Sequence, residues 1–238
     1  MKTKRILLLF FLNMLTFMAF AQKVRMGFLG GVNLALAAYD FPAPQNVDNA
    51  YLDTWQAEQK PGFFAGYDVE YDFTDKIFAS SGLILNYNQF NAVNERDYIN
   101  SENKDEYRSQ FSLFELQLPL MLHYRVGKFS AGLGPYAALA VGGSLKFRYL
   151  ENGNSESAFD EPLVFNNSES ESADFRPLNV GLGGEIGYGI KRWRVAAHFD
   201  LGLLNLSPKL PSQDSQVQKY ALKRSVLGLS FLYQPWPR

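Results

Sequence analysis

The 238-residue sequence has no cysteine. That excludes a disulfide scaffold, a thiolate metal centre and a cysteine nucleophile. It has only two histidines, His123 and His198, so a histidine-based metal site would depend on the fold bringing those two together, and none is expected. Charge of either sign is not in excess. The 23 Lys and Arg against 24 Asp and Glu leave a net charge of -1, which gives no drive towards nucleic acid. Beyond residue 20 no apolar run approaches the roughly 18 residues that a membrane-spanning helix needs. Helices are therefore not expected to hold this chain in a bilayer.

What is present begins with an export address. Lys2, Lys4 and Arg5 precede an apolar stretch from Ile6 to Phe20, and Ala19-Phe20-Ala21 is a small-x-small cleavage pattern. This reads as a signal peptide over 1–21, with one mature domain over 22–238. No cysteine follows the cleavage site, so no lipid attachment is expected there. Aromatic residues make up 15% of the chain and there are 19 glycines, a composition that suits β-structure with tight packing.

The most informative stretch is Phe111–Val126. From Phe114 it alternates without a break: Phe114, Leu116, Leu118, Leu120, Leu122, Tyr124 and Val126 against Glu115, Gln117, Pro119, Met121, His123 and Arg125. Side chains of a strand alternate between faces, so this is a long strand with one apolar and one polar face. Similar segments recur at 24–37, 62–73, 77–92, 129–149, 175–190, 193–206 and 220–233. The connectors between the eight segments run long, short, long, short, long, short, long, the rhythm of an up-and-down antiparallel barrel. The long ones, 38–60, 93–108, 151–174 and 207–219, are polar, and 151–174 carries acidic residues with no Lys or Arg. That connector is expected to be a solvated, mobile loop.

Alternation alone does not decide which face points outward. A soluble lipocalin-like barrel would turn its apolar face inward around a ligand. Here the apolar face is made of leucines and bulky aromatics, while the polar face of the later strands is rich in Gly and Ala. An eight-stranded barrel has little interior space, so the small, polar face fits inside and the bulky face fits lipid. The expected fold is all-β: an eight-stranded antiparallel up-and-down transmembrane β-barrel. Its short turns and both termini would be periplasmic and its long loops extracellular. Tyr71, Phe73, Phe78, Tyr124, Phe129, Tyr188, Trp193 and Tyr233 fall near the short-turn ends, where an aromatic girdle meets lipid headgroups.

The same parity puts Arg25, Arg125, Arg194, Arg224, Lys146 and Arg148 inside with Asp68, Glu70, Asp72, Glu115, Glu185 and Asp200. Such charges form either a polar conduit or a packed salt-bridge network. The network is favoured because side chains just fill an eight-stranded interior. His198 and Asp200 lie two apart on one face, the spacing that leaves a lipid hydrolase of the Ser-His-acid type as an alternative, although no nucleophile motif accompanies them. Pro119 cannot donate to a β-ladder, so strand pairing is expected to be interrupted there.

Several motifs resemble the PorT-like outer-membrane β-barrel family of Gram-negative bacteria. They are Gly30-Gly-Val-Asn-Leu34, Lys60-Pro-Gly-Phe-Phe-Ala-Gly66, the Phe114–Tyr124 strand, Gly134-Pro-Tyr136, Gly181-Leu-Gly-Gly-Glu-Ile-Gly-Tyr188 and Asp200-Leu-Gly-Leu-Leu-Asn205. The resemblance covers nearly the whole mature chain. It departs at the end, where Gln234-Pro-Trp-Pro-Arg238 follows Tyr233, the aromatic residue on which such a barrel commonly closes. The resemblance implies outer-membrane location and contact with membrane lipid, lipopolysaccharide, the barrel-insertion machinery and unidentified envelope proteins. It implies neither a cofactor nor one particular activity. The expected role is a non-enzymatic barrel that is structural, accessory to envelope transport or secretion, or adhesive through displayed loops.

Overall fold

A computed structural model describes residues 24–39, 45–47, 51–98, 104–151, 154–166, 175–207 and 222–235. The leader at 1–21 lies outside these. The described chain forms ten strands: β1 (Val24–Tyr39), β2 (Gln45–Val47), β3 (Tyr51–Asp72), β4 (Ile77–Tyr98), β5 (Lys104–Val126), β6 (Phe129–Glu151), β7 (Asn154–Pro162), β8 (Leu178–Ile190), β9 (Trp193–Gly202) and β10 (Leu222–Tyr233). Eight of them close a ring. Each pairs antiparallel with its chain neighbours, and β1 pairs with both β10 and β3. Closure removes the unpaired edges that an open sheet would leave. The two short strands stand outside the ring, β2 on β3 and β7 on β6.

The apolar face points outward. Phe28, Val32, Leu118, Leu120, Leu122, Leu133, Ile186, Leu229 and Phe231 are between 51% and 68% exposed. A continuous apolar surface of that extent around the whole wall matches a barrel solvated by lipid. A lipocalin-like arrangement would bury these side chains, and it is not the one adopted.

Glycine makes room for the bulky side chains that do point inward. Phe64 faces Gly31, His123 faces Gly132, Tyr136 faces Gly181 and His198 faces Gly228, each directly across the ladder. A Cβ at any of the four glycines would fall within 2.6 Å of the facing ring. The glycine-rich polar face is thus the negative of the rings it accommodates. At the short-turn end the hairpins are tight. The β5–β6 turn takes a positive φ at Gly127 and the β8–β9 turn takes one at Lys191, the backbone that two-residue hairpins need to match strand twist.

Four strands are far longer than a membrane requires. β3, β4, β5 and β6 have 22, 22, 23 and 23 residues, whereas about 9–11 tilted residues cross a bilayer. Much of 38–60 and 93–108, expected as loop, is therefore ladder: Tyr51 pairs with Tyr98 and Asp97 with Lys104. Beyond the lipid both faces of a strand can be polar, so the period-two hydropathy signal vanishes while backbone pairing continues. With β2 and β7 these extensions make a six-stranded sheet standing above one side of the mouth.

Two irregularities set which way side chains face. Phe114 pairs with Gly142 and Glu115 with Ala140, which leaves Val141 as an extra residue in β6. This bulge reverses parity above it. Lys146 and Arg148, expected inside, are exposed on the outer face, where Lys146 meets Asp160 of β7 at 3.3 Å. At Pro119 the register holds but pairing lapses. Partners jump from Ser81–Leu120 to Ile84–Gln117 on one side and from Pro119–Tyr136 to Leu122–Leu133 on the other. The Ser81 hydroxyl donates to the freed Pro119 carbonyl at 2.8 Å.

Candidate functional site

The lumen is built in three layers. The layer at the short-turn end is ionic. Glu70 of β3 receives Arg25 of β1 and Arg194 of β9, each at 2.7 Å, and Arg125 of β5 at 3.9 Å. Arg25 and Arg125 also reach Asp72, at 2.9 and 3.4 Å, and Arg194 reaches Glu185 of β8 at 3.4 Å. Five strands are thereby tied across the lumen. Phe78 sits inside this layer, fully buried, with Arg125 4.2 Å from its ring centre and Arg25 and Arg194 near 6 Å. It was expected in the outer girdle, but its neighbour Ile77 takes the outward position.

The middle layer is polar. Glu115 is paired with Arg224 of β10, both side chains under 5% exposed, and it also accepts from Asn88 at 2.6 Å. A chain runs from Asn86 to Gln117 at 2.8 Å and on to Asp200 at 2.9 Å. The His198 ring packs edge-on against Phe64 at 5.1 Å. Asp68, 7% exposed, has no ion pair among the described residues, and its Oδ2 has no hydrogen-bond partner. Phe64, Asp68, Asn86, Gln117, His198 and Asp200 border a small cavity.

The third layer closes the long-connector end, where the sequence gives no sign of a single cluster. Ala35, Phe90, Leu113 and Leu222 point inward from the walls and pack with Leu163, Phe175 and Leu206 from the connectors. The Phe90, Phe111 and Phe175 rings lie 5.2 to 6.3 Å apart. Backbone bonds fasten this cap: Leu163 donates to Gly143 at 3.0 Å, Arg176 to Leu206 at 2.9 Å and Leu206 to Leu222 at 2.8 Å. The connector 151–174, expected to be a mobile acidic loop, instead supplies β7 and the cap residues Leu163 and Phe165. Its stretch 167–174, which carries Glu169, Glu171 and Asp174, lies outside the described residues. The signal for the cap was the apolar run Leu163-Val-Phe165 inside an otherwise polar connector.

Around the outside of the short-turn end, aromatic pairs follow one another from strand to strand. Tyr71 meets Phe73 at 5.1 Å, Phe129 meets Tyr188 at 4.8 Å and Trp193 meets Tyr233 at 4.8 Å, while Tyr124 stands 52% exposed between them and β4. On the projecting sheet a second aromatic group forms. Tyr107 stacks on Tyr149 at 4.9 Å and Phe147 on Phe159 at 5.0 Å. Tyr98 there donates to Asp105 at 2.8 Å, and that bond to an anion holds its phenol above the ordinary value.

One nucleophile-like pair does form, and it is not the one flagged from sequence. Ser80 Oγ and His123 Nε2 are 2.8 Å apart. His123 is 2% exposed, its ring is stacked on Phe78 at 4.4 Å and its Nδ1 has no partner. A catalytic triad needs an acid on that second nitrogen, and among the described residues His123 Nδ1 has none. His198 and Asp200 likewise have no serine hydrogen-bonded to the His198 ring among the described residues.

A family model described as an outer membrane protein beta-barrel domain matches residues 20–207. No curated protein matches in sequence. Among solved structures, Ail, the attachment invasion locus protein of Yersinia pestis, aligns at 12% identity with a TM-score of 0.39, covering 89% of this chain and 99% of that one. OprG from Pseudomonas aeruginosa aligns at 11% identity with a TM-score of 0.34, covering 89% and 93%.

Proposed function

The chain belongs to the outer membrane protein beta-barrel domain family, and from that premise we propose that it is a non-enzymatic, non-conducting anchor that presents a rigid sheet at the cell surface. The observation that carries this reading is the combination of a lumen blocked by an ionic layer and an apolar cap with four strands that continue well past the lipid. A pore would keep the lumen open, and an enzyme would keep an accessible nucleophile. A wall that extends on one side only, over the mouth, suits contact with a partner. In this reading the termini and short turns are periplasmic, and the sheet and long connectors are extracellular. Lipid and lipopolysaccharide surround the wall, the insertion machinery delivers it, and an envelope or host partner meets the sheet. The PorT-like resemblance favours a role accessory to secretion or envelope transport, and the displayed sheet favours adhesion.

Two measurements test this together. The refolded barrel in a planar lipid bilayer is expected to give no steady conductance. Protease applied to intact cells is expected to cut in the long connectors and to leave the barrel. Steady ohmic channels, or connectors cut only after the outer membrane is permeabilised, would end the proposal.

A further inference from the structure

The middle layer of the lumen is short of positive charge. Below the cap, the described inward-facing charges are Arg25, Arg125, Arg194 and Arg224 against Asp68, Glu70, Asp72, Glu115, Glu185 and Asp200. The four guanidiniums are all engaged by Glu70, Asp72, Glu185 and Glu115. Asp68 and Asp200 have no ion-pair partner among the described residues, and the inward-facing acids outnumber the guanidiniums by two. Both border the same cavity, which offers about 60 Å³ to the centres of water molecules. Asp68 is 93% shielded from solvent, and its Oδ2 has no hydrogen-bond partner. Asp200 accepts from Gln117 at 2.9 Å, but Asp68 has no such partner at its Oδ2, and a buried ionised carboxylate costs several kcal/mol, so positive charge held in the cavity would stabilise the pair.

We propose that this chamber is a binding site for one small, partly hydrated divalent cation of the magnesium class, lodged between Asp68 and Asp200. The donors are hard oxygens, which suits Mg²⁺ rather than a soft metal. No three His, Cys, Asp or Glu among the described residues converge as a full ligand cage, so the ion keeps much of its water. That is how Mg²⁺ is usually held, through one or two carboxylates with several waters retained. The space agrees: at roughly 10–15 Å³ per water centre, the cavity admits about four to six water-sized occupants. Ser80, Asn86 and Ser230 in its wall supply partners for those waters. Arg194 also lines it, but that guanidinium is turned to Glu70 and Glu185. The ion would neutralise the chamber and brace β3 against β9 across the lumen, a role independent of what the surface sheet meets.

The test uses the full mature barrel, refolded in detergent micelles and stripped with a chelator, with Mn²⁺ as a paramagnetic probe for Mg²⁺. The wild-type barrel is expected to bind one Mn²⁺ that Mg²⁺ displaces. Asp68→Asn and Asp200→Asn are each expected to bind at least tenfold more weakly, with folding checked by heat-dependent gel mobility. The wild-type melting temperature is expected to fall in chelator, and that of the Asp68→Asn/Asp200→Asn double variant to be unaffected by it. Absence of Mn²⁺ binding to the wild-type barrel overturns the proposal, even if a variant fails to fold. Undiminished binding in both variants overturns it too, since the ion then sits on the acidic connectors. So does a gain in stability from Asp68→Asn that ignores chelator, which means protons neutralise the chamber.

Discussion

The Arg125 guanidinium lies 4.2 Å from the centre of the Phe78 ring, and the His123 ring is stacked on the same phenyl at 4.4 Å. Phe78 is therefore the apolar centre of the ionic layer: it holds three arginines in place without competing for their hydrogen bonds. Phe78→Leu keeps most of the volume but removes the π-face. The expected loss is about 1–3 kcal/mol, from cation–π attraction of ~0.5–2 kcal/mol and aromatic stacking of ~0.5–1.5 kcal/mol. Urea unfolding in lipid vesicles measures it, and a variant as stable as the wild type would show that the arginines are held by Glu70 and Asp72 alone.

Glu115 and Arg224 are buried as a pair, at 3% and 4% side-chain exposure. Truncating one partner strands the other charge, so Glu115→Ala is expected to cost ~3–5 kcal/mol. Replacing both by apolar residues, Glu115→Leu with Arg224→Met, removes the stranded charge and is expected to recover most of that loss. The comparison is read from unfolding midpoints and from the temperature of the heat-dependent gel shift. If the double replacement is as damaged as the single, the pair is embedded in a wider network that includes Asn88.

How much of this was legible follows from where hydropathy carries information. Inside the lipid each residue must choose between hydrocarbon and a polar lumen, so Phe114 to Val126 declares its faces and the ring of eight strands is readable. Above the lipid that choice disappears. Tyr51 to Lys60 and Val93 to Tyr98 mix polar and apolar residues without a clean period of two and look like loops, although their backbones pair throughout. Val141 shows a second limit. A single extra residue moved Lys146 and Arg148 to the opposite face, and the small residues around it, Ala140, Gly142 and Gly143, give no parity to read. The cap was hidden because Leu163, Phe175 and Leu206 come from separate connectors and meet only after closure. The Ser80–His123 contact is a cross-strand diagonal, two residues along β4 from the Phe78–His123 pair, and depends on register that sequence does not specify.

Closure at both ends makes a prediction about conduction. Replacing Phe90, Phe111 and Phe175 together by serine removes the ring cluster of the cap but leaves Arg25, Arg125 and Arg194 clasped on Glu70. That triple variant is expected to remain silent in a planar bilayer at neutral pH. Adding Glu70→Ala removes the carboxylate on which the three arginines converge, leaving Arg25 and Arg125 on Asp72 and Arg194 on Glu185, and is expected to produce flickering currents. Currents from the cap variant alone would mean that the ionic layer does not seal.

Lys191 holds φ at +55° in the β8–β9 turn, a conformation that costs an L-residue roughly 1–2 kcal/mol and glycine almost none. Part of that gain is lost to the freer unfolded chain, so Lys191→Gly is expected to stabilise the barrel by about 0.5–1 kcal/mol. Gly127→Lys at the equivalent φ of +59° is expected to destabilise by a similar amount. Opposite signs in the two hairpins are the result to look for in paired urea titrations.

Gly132 lies directly across the ladder from His123, and a Cβ there would stand 2.2 Å from its Nδ1. The ring cannot yield easily, since Phe78 covers one face at 4.4 Å and Ser80 holds Nε2 at 2.8 Å. Gly132→Ala is therefore expected to destabilise by ~1–3 kcal/mol, the usual cost of overpacking a close-packed interior. The cause can be separated from glycine's backbone freedom by a cycle. If the clash is with the ring, adding His123→Ala to Gly132→Ala costs less than His123→Ala and Gly132→Ala cost separately, with a coupling on the order of 1 kcal/mol or more. If the two losses add, the glycine is required by the backbone of β6 itself, and the ring-over-glycine packing repeated at Phe64, Tyr136 and His198 does not govern how the lumen is filled.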